Sequence, residues 1–173
     1  QHFRPPPGRI YIICDYGNVE MVTAAEIAHE RVLQALFERP DGDAHKYLAS
    51  KIAGVPESEV TKSQRQQAKP GNFGFLYGMG WRKFIIYALV GYKVAFSPEK
   101  AQIVRAAFFD GYPRFKPWHQ ECLEEGRYQK MSRTLSGRLR YLDPDDTYSE
   151  WFNTPVQGTS ADGLKRAMRH VFN

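Results

Sequence analysis

Cysteine is scarce in this 173-residue chain: Cys14 and Cys122 are too few for a disulfide framework or a cysteine-rich zinc site. A reduced, intracellular setting is therefore expected. No apolar run approaches the roughly 20 residues that a helix needs to span a bilayer. Residues 1–8 (QHFRPPPG) are polar and proline-rich, without a signal-peptide pattern. Internal repeats are lacking, and low-complexity sequence is confined to Pro5, Pro6 and Pro7. Anionic residues are in modest deficit, 19 Asp+Glu against 24 Lys+Arg, for a net charge of +5. That balance permits a polyanionic partner without requiring one. With 42% hydrophobic and 25% charged residues the composition is that of a folded globular chain. Its length suits one domain or one lobe of a larger protein.

Local patterns predict an α+β chain that is mainly helical. Residues 9–16 (RIYIICDY) are β-branched and aromatic, which predicts a buried strand ended by Gly17. A helix is expected over 18–39, closed by Pro40 and Gly42, and a second over 44–54. Thr61 followed by Gln64 has the spacing of a capping box and starts a third helix, which runs to Tyr77. Further helices are expected over 81–90, over 97–110 with Ser97 as cap and Pro98 at the first helical position, and over 117–130. Residues 134–142 have the mix of a bent strand or hairpin arm. The stretch 154–173 reads as helix without a stop signal, as a truncated chain would.

In the third helix Arg65, Lys69, Phe73 and Tyr77 each come four residues after the last. A step of four advances the position by about 40°, so the four share one slowly turning stripe about 18 Å long. Two cations and then two aromatics match a triphosphate with its sugar and base, since guanidinium and ammonium groups bind phosphate and aromatic faces stack. Spacing alone favours a solvated basic turn ahead of a core-facing aromatic pair.

The sequence around the stripe, RQQAKPGNFGFLYG at 65–78, resembles the fingers-helix motif of family A DNA polymerases, the group of bacterial repair polymerases and many phage replicases. Three other segments agree in order. CDYGNVE at 14–20 is similar to the family's palm motif, TLSGRLRYL at 134–142 to its Thr-x-x-Gly-Arg-x-Arg-Tyr stretch, and NTPVQGTSAD at 153–162 to its Asn-x-Pro-x-Gln-Gly-Thr motif. The resemblance implies a fingers lobe over 40–130 between two palm segments, 1–39 and 131–173, with a small antiparallel palm sheet fed by 9–16. It implies template-directed addition of deoxynucleoside triphosphates to a DNA primer by two-metal chemistry with Mg²⁺. The partners would be the primer–template and the rest of the polymerase chain, with no membrane, in a bacterial or phage-infected cytoplasm.

Residue by residue, the resemblance makes Asp15 and the Tyr16 carbonyl metal ligands, with Asp15 and Lys69 in the catalytic set. Arg65 and Lys69 would contact the triphosphate, Phe73 the sugar and Tyr77 the base-pair region. Glu20 would crowd the sugar 2′ position and select deoxyribose. Arg138 and Arg140 become phosphate contacts, and Asn153 and Gln157 minor-groove donors. The chain also departs from the family. The second catalytic carboxylate, on a His-Asp-Glu segment after the last helix, is not among the 173 residues, so the chain alone is expected to be inactive. Asp162 does not replace it, and Ser149 stands where arginine is usual. Pro70 interrupts the functional helix, to be kinked or absorbed by packing. His29, His45 and His119 are read as surface or hydrogen-bonding residues, and Trp81, Trp118 and Trp151 as packing anchors. A non-catalytic nucleic-acid-binding fragment and a piece of a single-subunit RNA polymerase are the alternatives, the latter disfavoured by Glu20 and Phe73.

Overall fold

A computed structural model describes residues 4–143 and 148–172. Its elements in chain order are α1 (Val19–Ala28), α2 (Arg31–Glu38), α3 (Ala44–Ala53), a 3₁₀ turn (Glu57–Glu59), α4 (Lys62–Leu76), α5 (Trp81–Tyr92), α6 (Pro98–Gly111) and α7 (Phe115–Gln129). Strands β1 (Met131–Arg133) and β2 (Leu139–Tyr141) come next, then α8 (Tyr148–Asn153), a π turn (Thr154–Gly158) and α9 (Thr159–Phe172). The fold is mostly helical with one two-stranded antiparallel sheet, in which Ser132 faces Arg140.

The core is a relay of rings that crosses five helices. Phe75 of α4 lies 4.5 Å from Phe84 of α5 and 5.9 Å from Phe108 of α6, centroid to centroid. Phe108 stacks on Phe115 of α7 at 5.6 Å, and Trp118 carries the contact on to Phe152 of α8. Offset and edge contacts of this kind add to the burial of large apolar area. Trp118 is thus a packing anchor, and Trp151 presses on Gly126, where a Cβ would lie 2.7 Å from its ring.

The capping box forms at Thr61, whose hydroxyl accepts from the Gln64 N–H while its own N–H donates to the Gln64 side chain. From there α4 runs unbroken through Pro70, so packing absorbs the missing hydrogen bond. Pro70 and Gly71 are both buried, and a Cβ on Gly71 would sit 2.9 Å from Val104 and 3.1 Å from Leu48. The glycine lets α4 lie close against α3 and α6.

Three expectations are corrected. Residues 9–16 are not a strand but an exposed extended segment, with Ile13 90% exposed. A strand needs a neighbour to take its backbone hydrogen bonds, and no described strand lies beside this one. The sheet is instead made by β1, just ahead of the expected hairpin stretch, and β2, within it: Gly137 makes the turn at φ 88°, and Gly137 N–H donates to Thr134 O. The expected helix over 18–39 breaks at His29, which takes φ 55° without being glycine, and Glu30 then caps α2. Glu30 is buried, its carboxylate oxygens accepting the N–H groups of Val32 and Arg114. Finally, the helix expected from 154 continues α8 through the π turn. Asn173, its expected last residue, lies outside the described residues.

Candidate nucleotide-binding cleft

Where α4 meets the start of α1 and the π turn, a cleft of about 540 Å³ opens. Phe73 and Tyr77 form its floor, Tyr16 and Glu20 one side, Gln157 another, and Tyr87 and Tyr92 of α5 the far wall. Five residues singled out in the sequence from three separate segments therefore face one space. The Gln157 amide donates to the Glu20 carboxylate at 2.8 Å. Beside them the buried Tyr77 hydroxyl has no hydrogen-bond partner among the described residues. Burial, and then the Glu20 charge, push its pKa up. The Tyr87 hydroxyl, 3.3 Å from that of Tyr92, is also pushed up by burial. Both phenols are therefore neutral, hydrogen-bonding groups at physiological pH.

The direction of Tyr77 is set by how α4 ends. Met79 N–H donates to Gly74 O and Gly78 N–H to Phe75 O, the paired bonds of a glycine C-terminal cap, with Gly78 at φ 70°. The Phe152 ring lies directly against Gly78, and the His119 ring lies 4.4 Å beyond it. His119 is the hydrogen-bonding, buried kind of histidine. Its Nε2–H donates to Leu76 O at 2.8 Å, and burial lowers its pKa to about 4.

Arg65 and Lys69 continue the stripe beyond the cleft, both half-buried. Arg65 is not a free cation: its Nε donates to Asp43, whose other oxygen caps α3 by accepting from His45 and Lys46 N–H. Burial opposes ionisation of Asp43, but the bonds from Arg65 and the backbone outweigh it and hold its pKa below the ordinary value. Pinned through Nε, the guanidinium keeps its two terminal nitrogens for another ligand, with no hydrogen bond to described protein groups.

His45 is a residue that sequence reasoning undervalued. It is buried, its ring 5.6 Å from Phe73, and it accepts from Asn72 Nδ2 at Nδ1, which leaves the proton on Nε2. Asn72 also donates to Ala44 O, locking α4 to the start of α3. Burial lowers the His45 pKa to about 4, and the charges of Arg65 and Lys69 act in the same direction. A histidine that feels both cations belongs to the same cluster. Its 20-residue distance from Arg65 gave no sequence signal, and neither did the spacing of Tyr87 and Tyr92.

The remaining expected site residues stand elsewhere. Asp15 is exposed on the extended segment before α1, next to Tyr16. Among the described residues no three His, Cys, Asp or Glu side chains group as a metal site. Arg138 bonds to Asp162 Oδ1 and Gly158 O, both at 3.0 Å, and Ser136 also donates to Asp162. Asp162 thus ties the hairpin to α9. Arg140 pairs with Glu150 at 3.3 Å, and Asn153 is half-buried at the end of α8. No described helix is long and apolar enough to cross a membrane.

Known proteins resemble this chain in both sequence and fold. Residues 1–173 match the model of DNA polymerase family A. The chain is 37% identical to DNA polymerase I of Aquifex aeolicus (strain VF5) over 170 residues, which is 96% of this chain and 29% of that protein. It is 32% identical to the thermostable DNA polymerase I of Thermus aquaticus, covering 95% of this chain and 20% of the relative. The chain therefore spans less than a third of the length of these relatives. Its fold superposes on the polymerase domain of Pol1 from M. smegmatis, solved with DNA primer-template and dNTP, with a TM-score of 0.75 and 26% identity over 89% of this chain and 28% of that one. By its sequence along its whole length and by its fold, the chain belongs to DNA polymerase family A.

Proposed function

We propose that this chain is the nucleotide-binding part of a template-directed DNA polymerase and works with the rest of a longer polymerase chain. The observation that carries the reading is the order along α4: cations at one end, then Phe73 and Tyr77 facing Glu20 and Gln157 across a cleft. The triphosphate lies on Lys69, the outer nitrogens of Arg65 and Nε2–H of His45. Neutral His45 supplies a hydrogen bond rather than a third cation, and the two cations give the charge. Phe73 and Glu20 flank the sugar, and Tyr77 meets the nascent base pair.

Asp15 and the Tyr16 carbonyl are hard oxygen donors that suit Mg²⁺ as part of a shell completed by water, phosphates and a further carboxylate. When bound, the metal supplies charge neutralisation for in-line phosphoryl displacement. Lys69 and Arg65 hold the leaving phosphates as negative charge develops on them, and the cleft walls fix the sugar for attack by the primer hydroxyl. Template-directed primer extension by the longer polymerase, abolished by Asp15→Ala, tests the reading; extension that survives Asp15→Ala overturns the role of Asp15. Two-metal chemistry takes more than the one carboxylate, Asp15, proposed here for the metal, so the 173-residue chain by itself is expected to extend no primer.

Arg138, Arg140, Asn153 and Gln157 lie on the hairpin and π-turn side and are proposed to hold the duplex through phosphate and minor-groove contacts. Binding is then largely independent of sequence. Log affinity falls against log salt concentration with a slope of about −0.9 for each phosphate contact. Fluorescence anisotropy with two unrelated primer–templates across a salt series checks this. A strong preference for one sequence, or affinity that is flat in salt, contradicts it.

A further inference from the structure

The Gln157 amide donates to the Glu20 carboxylate at 2.8 Å, and the charge of that carboxylate also acts on the neighbouring Tyr77 hydroxyl. One turn further along both elements Thr23 Oγ1 lies 3.0 Å from Ser160 Oγ, while Ser160 itself donates to Val156 O. Thr23 is therefore the donor of the pair. The start of α1 is thus laced to the π turn and α9 at two successive turns, Glu20 with Gln157 and Thr23 with Ser160.

Gln157 lines the cleft from within the π turn. Pro155 has no N–H to give to an α-helical bond, and the wider turn accommodates one extra residue. Such an insertion rotates the downstream residues by about 100° relative to a continuous α-helix. Gly158 lets the hairpin close on this turn, since a Cβ there would lie 2.7 Å from Thr134. The local fold is therefore built around a segment whose geometry aims one amide at one carboxylate.

A glutamate has three side-chain torsions, and a half-buried one gains access to other rotamers when a hydrogen bond that holds it is removed. We propose that Gln157 is a positioning residue for sugar selection: it holds the Glu20 carboxylate over the Phe73–Tyr77 floor, so that exclusion of a ribose 2′-hydroxyl depends on Gln157 although Gln157 does not touch the sugar. The inference rests on the assignment of Glu20 to the sugar. It is compatible with a nucleic-acid contact by the same side chain, because a primary amide has two protons. One proton goes to Glu20, and the other remains for a minor-groove acceptor.

The test uses the full-length polymerase and compares kcat/KM for a deoxynucleotide with that for the matching ribonucleotide. Gln157→Leu is expected to reduce the ratio about tenfold, the scale of one charge-assisted hydrogen bond at a partly exposed site. Glu20→Ala reduces it at least as far, and the Glu20→Ala/Gln157→Leu double variant loses nothing more. A merely duplex-binding Gln157 slows both nucleotides equally and leaves the ratio unchanged. That result, or additive losses in the double variant, overturns the proposal. An independent readout tracks the Gln157 side-chain amide by NMR in selectively ¹⁵N-glutamine-labelled protein. Its resonance should move on Glu20→Ala, and an unmoved resonance overturns the pairing. If Gln157→Leu and wild type share the discrimination while Glu20→Ala loses it, positioning alone fails. If Glu20→Ala also leaves the ratio unchanged, the assignment of Glu20 to the sugar fails with it.

Discussion

Replacing Phe73 by tyrosine is expected to raise incorporation of dideoxynucleotides relative to deoxynucleotides by about 10- to 100-fold in the full-length polymerase. Phe73 is half-buried on the cleft floor, on the same helix face as Tyr77 and across from Glu20. Its apolar ring offers no hydrogen bond, so a dideoxynucleotide that lacks its own 3′-hydroxyl leaves polar phosphate oxygens without a donor beside it. A tyrosine hydroxyl at that place restores one, and the penalty for the missing group shrinks. The ribonucleotide ratio should stay where it is, because discrimination of the 2′-hydroxyl is proposed to fall to Glu20 and its amide partner on the other side of the sugar. Competition of dideoxy- against deoxynucleotides with both variants gives the ratio directly. An unchanged ratio returns Phe73 to simple packing against His45.

The second large effect is on stability. Gly78→Ala should destabilise the fold by about 2–5 kcal/mol, read by chemical denaturation. The left-handed conformation at φ 70° costs an alanine about 1–2 kcal/mol. The rest comes from the Phe152 ring, which occupies the place of the new methyl and is itself clamped against His119. The ring cannot yield without disturbing the His119 bond to Leu76 at the end of α4. Because this joint sets the direction of Tyr77, nucleotide affinity should fall along with stability. A variant within about 0.5 kcal/mol of wild type would show that the α4–α8 joint is pliable.

Much of the fold was legible in the residues because the signals are local. The Thr61–Gln64 box, Ser97 with Pro98, and Gly78 each act within one turn, and the structure has a cap or stop at all three. The alignment of Phe73 with Tyr77 also comes from helical period alone. Features that could not be read depend on distant partners. The apolar run before Tyr16 has strand composition, yet it is exposed and extended here, since β-branching favours a pleated surface and does not supply the adjacent strand. The break at His29 carries no glycine. It is fixed by Glu30, which reaches Arg114 more than 80 residues away. The sequence around His45 does not reveal its burial, because its partners, Asn72 and Phe73, arrive from the next helix, α4. The pairing of Arg65 with Asp43 was hidden for the same reason.

Helix α4 is central as the element proposed to hold the incoming triphosphate, and Lys69 gives the most direct test of that role. In the full-length polymerase, Lys69→Ala removes a half-buried cation from the phosphate end of the stripe while leaving the hairpin and π turn intact. Nucleotide affinity in single-turnover primer extension should fall about tenfold or more, and primer–template affinity should stay within about twofold of wild type. Equal losses of both affinities, or no loss of either, would contradict that role and leave Lys69 as one more solvated charge on a helix surface.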